Sequence, residues 1–305
     1  MMLRQRGVAL VLVLWVITLL AVIAGNFAFS MRGEALIARN LLVNAQAKTR
    51  ADAGVQLAWF ELLKPVTDAQ RWQANGMGHE FLLDGTVVKV SIFDESGKID
   101  LNTAPAELLK GLFKSVGLSE EVSANLLDTV LDWRSPGNLK RLNGAKEEQY
   151  RAAGKSYSPP NAPFETVDEL QRVLGMSLEL FNKLAPALTI HSRQSGINSV
   201  FAPREVLLAI PGINPAVVEQ FLLQRQDALA TGRPVLPLAG AGSFSSSSGF
   251  SAYSVRSEAR MADGVGFVRQ TVVRLTQNLK QPVAVLSWGE GDAGPVERNN
   301  TITKN

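Results

Sequence analysis

The chain has 305 residues, of which 46% are hydrophobic and 19% charged, with a net charge of +3; this allows one or two domains with a packed core. Cysteine is absent and only two histidines occur, His79 and His191, which excludes disulfides, thiolate zinc sites and thiol catalysis and leaves no His-rich metal site. Basic residues are scattered rather than gathered in a stripe, which argues against a nucleic-acid surface.

Residues 1–7 form a short leader carrying Arg4 and Arg6 and ending in Gly7. From Val8 to Met31 no charged residue occurs, and such a run is long enough to cross a bilayer core as a helix. Arg4 and Arg6 mark its cytoplasmic end by the positive-inside rule. A secretory signal peptide would close on a polar stretch and a small-x-small cleavage site. Here the apolar run passes straight into a longer helical pattern, and the processing signal lies before it, at Arg6-Gly7-Val8. A plain signal anchor is the other reading of these residues.

After Met31, Leu36, Ile37, Leu41, Val43, Ala47, Ala51, Val55, Ala58, Leu62 and Leu63 recur at helical spacing until Pro65 ends the run. The pattern predicts one helix over 8–64, about 57 residues and roughly 85 Å at 1.5 Å per residue. Its first part suits lipid. The stripe over 32–63 is broader than one domain face covers, and Leu36, Val43 and Ala47 are the candidates for meeting a partner helix. Gly25 and Gly54 are candidate bends or thin spots.

Two alternating segments, 79–83 and 86–93, flank Asp84-Gly85 and predict a β-hairpin. A mostly helical block follows from Ile99 to about Gln226, with a capping box at Thr166–Glu169 and an apolar pattern through Leu170, Val173, Leu174, Leu178, Phe181 and Leu184. Residues 238–249 read as a Gly/Ser linker. Strands are predicted again over 251–261, 266–275 and 282–288, and the polar end from 290 as a disordered tail. Strands on both sides of a helical block point to an inserted domain.

The block holds an ungapped repeat: IDLNTAPAELL (99–109) matches INSVFAPREVL (197–207). Each copy opens a helix with Ala-Pro and an early Glu, suited to a helix N-terminus. Each then turns at a glycine corner, Gly117 or Gly212, into a second helix ending at Arg134 or Arg225. The order resembles a helix-hairpin-helix. Such corners can present backbone N–H groups to a phosphate, yet each has one glycine and no basic cluster, so a compact module for protein contacts is favoured over DNA. No nucleophile–base constellation or Gly-x-Ser-x-Gly elbow occurs.

The basic-Gly-apolar start resembles the type IV prepilin class. Together with the long helix, the hairpin, SGKIDLNTA (96–104), Leu131-Asp132-Trp133 and NAPFETVDEL (161–170), it resembles the K-type minor pseudopilins of type II secretion systems over nearly the whole chain. The resemblance implies an α+β, type IV pilin-like fold: a long N-terminal helix on an antiparallel sheet, with a large inserted all-helical domain containing helix-hairpin-helix, SAM-like repeats. The divisions would be leader 1–7, membrane part 8–31, pilin-like core 32–98, inserted domain 99–237 with repeats near 99–134 and 197–225, linker 238–249, closing strands 250–289 and tail 290–305.

It further implies cleavage between Gly7 and Val8 by a prepilin peptidase, methylation of the new terminus, and a non-enzymatic role at the tip of the periplasmic pseudopilus in secretion of folded proteins. The protein would be a single-pass inner-membrane protein with its C-terminal domain in the periplasm. Its partners would be the I- and J-type minor pseudopilins, then the H and G types, with the secreted substrate or the outer-membrane secretin as further contacts and no nucleic acid. Pilins carry Glu at the fifth mature position. Leu12 stands there, as in the K type, which suits a subunit with no neighbour above whose terminal amine a buried carboxylate would pair. No cofactor is required. Calcium in the helical domain is the candidate ion, with Asp132, Glu147 and Glu148 as ligands, although Lys146 stands where an acid is expected. A membrane-anchored DNA-uptake protein and an anchored hydrolase are the alternative functions.

N-terminal sequencing of membrane-extracted protein is expected to begin at Val8. A mature start at Met1, or beyond Ala24, contradicts the prepilin reading.

Overall fold

The computed structural model describes residues 8–68, 70–246 and 252–291. Arg4, Arg6 and Gly7, the end of the Gly/Ser segment and most of the expected tail lie outside the described residues. The long helix, α1 (Val8–Leu63), runs unbroken for 56 residues and is long and apolar enough to cross a membrane.

Its last turns seat on a sheet. Strands β1 (Asn75–Leu83) and β2 (Thr86–Asp94) form the hairpin. Asp84 and Gly85 both take positive φ, 46° and 75°, the backbone that a two-residue turn between twisted strands requires. Along β2, Val88, Val90 and Ile92 face inward and are fully buried, in one cluster with Ala51, Val55, Ala58 and Leu62 of α1. Gly54 marks the closest approach of helix to sheet. A Cβ there would lie 2.2 Å from Ser257 Oγ and 2.9 Å from methyl groups of Val88 and Val90. The glycine thins the helix where it meets the sheet.

The helical block comprises β3 (Ile99–Asp100), α2 (Ala106–Ser115), α3 (Glu120–Arg134), α4 (Glu147–Ala152), α5 (Leu178–Leu184), β4 (Leu188–Thr189), α6 (Arg204–Leu208) and α7 (Pro215–Ala230). It has its own core, in which Leu109, Leu112, Phe113, Trp133, Tyr150 and Val206 are buried together. β3 and β4 pair in parallel. The chain then returns through β5 (Ala252–Arg260), β6 (Gly266–Leu275) and β7 (Val283–Glu290). The large sheet has the order β1-β2-β5-β6-β7, antiparallel throughout. Because β2 pairs directly with β5, Asp94 opposite Tyr253, the helical block is an excursion between two neighbouring strands. The fold is α+β, a long N-terminal helix on an antiparallel sheet with further helices inserted. Arg269 of β6 ties helix to sheet: its Nε lies 2.5 Å from Asp52 Oδ1, and its guanidinium stacks 4.9 Å from the Phe267 and Trp288 rings.

Two expectations change. Glu169 does accept from the N–H of Thr166, at 3.2 Å, but it heads a 3₁₀ turn over Val167–Arg172 rather than a long helix. Gly175, with φ 89°, breaks the run before α5, and Leu178 points to solvent. The Gly/Ser segment is also less free than a linker. Within its described part, Ile197 donates to the Phe244 carbonyl at 2.8 Å and Ser246 donates back to the Ile197 carbonyl at 2.9 Å. Gly196 permits this, because a Cβ there would lie 2.6 Å from Phe244 O.

Gly54→Ala is expected to destabilise the full chain in detergent by about 1–3 kcal/mol through overpacking, read as a lower denaturant midpoint. Ser257→Gly in the same background should recover part of the loss.

Candidate functional site

Three features carry functional chemistry: the bare part of α1, the two repeats, and the loop after α3. Below the sheet α1 stands alone. Leu12 is 62% exposed and Leu36 60%, and Val43 is half-buried. Thr18, within the apolar run, turns its hydroxyl back to the carbonyls of Leu14 at 3.0 Å and Trp15 at 2.9 Å, so that this hydroxyl is met inside the helix. Ala47 is corrected as a partner residue. It is fully buried within its own subunit, first in a series with Ala51, Val55 and Ala58 at helical spacing. Sequence spacing reveals an apolar stripe but not where the chain's own sheet begins to cover it; Val43, one turn nearer the membrane, sits at that edge.

The repeats share their local bonding. Asp100 Oδ1 accepts from the N–H groups of Asn102 at 2.8 Å and Thr103 at 3.1 Å. In the second copy Asn198 Oδ1 accepts from Val200 at 3.1 Å. Ala104 donates to the Asp100 carbonyl at 2.9 Å and Ala202 to the Asn198 carbonyl at 3.0 Å. Each turn is then capped by an arginine of its second helix, Arg134 at the end of α3 and Arg225 within α7, which runs on to Ala230. Arg134 donates to the carbonyls of Leu101 and Ala104, the latter at 3.0 Å. Arg225 donates to Ser199, Val200 and Ala202, the last at 2.6 Å. Burial pulls both guanidinium groups below their ordinary value, Asp100 opposing the shift at Arg134 and Arg141 adding to it. The repeated arginine was visible in the sequence; its role as a cap was not. The copies pack back to back through α2 and α6, where Gly111 lies so close that a Cβ would come 1.9 Å from Ala209 O.

The corners offer little to a phosphate backbone. Lys110 and Lys114 are both engaged by Glu120, the latter at 3.0 Å, and Arg204 is engaged by Glu219 at 2.6 Å. The bases nearest Gly117 and Gly212 are thus offset by acids of the following helix.

The loop after α3 does not gather the candidate calcium ligands. Asp132 is fully buried. Its Oδ1 accepts from Arg141 Nη1 at 2.7 Å and its Oδ2 from the Arg141 N–H at 3.1 Å. Glu147 and Glu148 are exposed, and Glu147 pairs with Arg151 at 2.5 Å. Among the described residues no group of three or more His, Cys, Asp or Glu is placed to hold a metal ion. The oxygens that do converge surround Lys146: its Nζ donates to the carbonyls of Asp132 at 2.6 Å and Ser135 at 3.0 Å and to Asn161 Oδ1 at 2.6 Å. The residues present do not fit a calcium site, because the cation position is taken by a side chain.

The family described as type II secretion system (T2SS), protein K matches residues 89–193, the stretch from β2 through the first repeat, the lysine loop and β4. Most of the matched stretch lies in the inserted helical block, which is in this sense a K-like domain. Its relatives include the type II secretion system protein K of Klebsiella pneumoniae, 28% identical over 231 residues, 68% of this chain and 70% of that one. The protein K of Pectobacterium carotovorum subsp. carotovorum is 24% identical over 242 residues, 71% and 73% of the two chains. A chain of the GspK-GspI-GspJ complex from enterotoxigenic Escherichia coli superposes with a TM-score of 0.57 at 16% identity, covering 86% of this chain and 99% of that one. At that identity the likeness concerns the fold.

The full chain is expected to bind duplex DNA more weakly than about 1 µM at physiological salt, by fluorescence anisotropy. Tighter binding would contradict the neutralised corners and favour DNA uptake.

Proposed function

We propose that the protein is a tip-capping minor pseudopilin of the type II secretion system, a structural subunit without enzymatic activity. It spans the inner membrane once through α1, is cleaved after Gly7 and methylated at Val8, and presents its sheet and K domain to the periplasm. There it joins the I- and J-type minor pseudopilins, then the H and G types, and supports passage of folded proteins across the outer membrane. The K domain faces the secreted substrate or the secretin.

The observation that carries this reading is the division of α1. One end seats on the subunit's own sheet, and the rest, an apolar face through Leu36, Ile37 and Leu41, is exposed within the subunit, with Val43 half-buried at its edge. Lipid covers the segment to Met31. Above it, neighbouring helices are the natural cover. The K-type relatives, and the complex of GspK with GspI and GspJ that shares the fold, support the choice of partners. Leu12, with no carboxylate to match to a subunit above, supports the tip position.

Co-expressed full-length chain is expected to co-purify with the I- and J-type subunits. Val43→Asp should weaken that association at least tenfold, since an unpaired charge in a desolvated helix contact costs several kcal/mol. Failure to associate, or an intact complex after aspartate at both Leu36 and Val43, contradicts the proposal.

A further inference from the structure

We infer that the loop after α3 is closed by the chain's own cations, Lys146 seconded by Arg141, in the place where a divalent ion would otherwise be needed, so that the K domain of this chain is structurally independent of calcium. The argument begins with hydrogen counting. The three atoms around Lys146 Nζ, the carbonyl oxygens of Asp132 and Ser135 and Oδ1 of Asn161, accept only. A neutral amine has two N–H groups and an ammonium three. Three acceptors at 2.6–3.0 Å therefore describe a protonated lysine, a monovalent cation in a cage of oxygens.

Those oxygens are the kind that calcium prefers, main-chain and amide carbonyls. A calcium ion also needs six to eight oxygens at 2.3–2.6 Å, carboxylates among them. The nearest carboxylate, Asp132, already has both oxygens occupied by Arg141. Two cations against one carboxylate leave the pocket positive before any metal arrives, and a divalent ion would add to that charge with poor solvent screening. Glu147 and Glu148, exposed on α4, would have to turn inward past Lys146 to compensate.

The backbone is built to this arrangement. Gly144 passes directly over the Asp132 carboxylate, where a Cβ would lie 1.9 Å from Oδ2. Asn161 adopts a left-handed φ of 54°, a conformation that asparagine tolerates better than most residues, and brings its amide oxygen to the ammonium. Asn143 is drawn to Asp128 Oδ2 at 3.1 Å through its N–H, which pins the returning strand of the loop to α3. The loop is thus tied at three places along α3 and its end: Asp128, Asp132 and Ser135.

The inference concerns the loop and not assembly, so it stands or falls apart from the proposed function. The test uses the full chain in detergent. Thermal unfolding is followed in EGTA and in excess calcium chloride, and calcium binding is measured by isothermal titration. The wild type is expected to unfold within about 1 °C in the two conditions and to give no saturable binding heat, because a ligand stabilises only the state that binds it. Lys146→Met is expected to lower the midpoint by about 5 °C, with no recovery on adding calcium. A wild-type midpoint raised by several degrees in calcium, saturable binding below millimolar concentration, or a Lys146→Met midpoint equal to wild type would each overturn the inference. The wild-type titration decides the question even if the variant does not fold.

Discussion

A buried carboxylate sits at the centre of the junction between the two halves of this protein. Glu95 lies at the point where the chain leaves the sheet for the helical block, and it is almost entirely shielded from water. It pairs with Lys98 at 2.5 Å, accepts from Ser254 Oγ on β5 at 2.6 Å, and accepts from Thr189 Oγ1 on β4. One oxygen therefore faces the sheet and the other the inserted domain. The surrounding turn is built for closeness. Asp94 accepts from the Ser96 N–H at 2.9 Å, Asn198 donates to the Ser96 carbonyl at 2.8 Å, and Gly97 lets the Phe201 backbone approach. Burial by itself would raise the Glu95 pKa; the Lys98 charge and the three side-chain hydrogen bonds outweigh it and hold the carboxyl below its usual value. An ionised group so placed stabilises the junction only while every partner stays in position.

That junction gives the insertion its mechanical meaning. α1 is anchored to the sheet by Asp52–Arg269 and by the Gly54 contact, and the sheet is anchored to the K domain through Glu95 and through Arg274, which donates to the His191 carbonyl at 2.7 Å. Within that domain the two arginine-capped repeats and the lysine-caged loop continue the same economy, in which charged groups stiffen turns from inside.

Much of this was legible in the sequence where local chemistry decides. The Pro65 stop, the Asp84-Gly85 turn and the apolar alternation of β2 and β6 placed those elements within a residue or two. The ungapped repeat emerged as two turns with matching bonds. What escaped needed a tertiary partner. Ala47 looks like any other member of the α1 stripe, yet it is fully buried within the subunit. The Thr166 cap is real, but Gly175 and packing on Tyr150 decide that no long helix follows. The resemblance implied a metal loop, whereas Lys146 and Arg141, brought together by the fold, decide the site. Only the odd lysine at that position hinted at the outcome.

The most direct test of the central claim is the pH dependence of unfolding of the full chain and of Glu95→Gln. A carboxyl whose folded pKa is depressed contributes stability above its unfolded value, near 4.3, and loses it as pH falls through the folded value. Near pH 7 the variant should be less stable by about 3 kcal/mol. The gap should close as the pH falls below about 4. Equal stability at pH 7, or a gap that persists unchanged to pH 3, would contradict the view that the ionised Glu95 joins stalk to K domain.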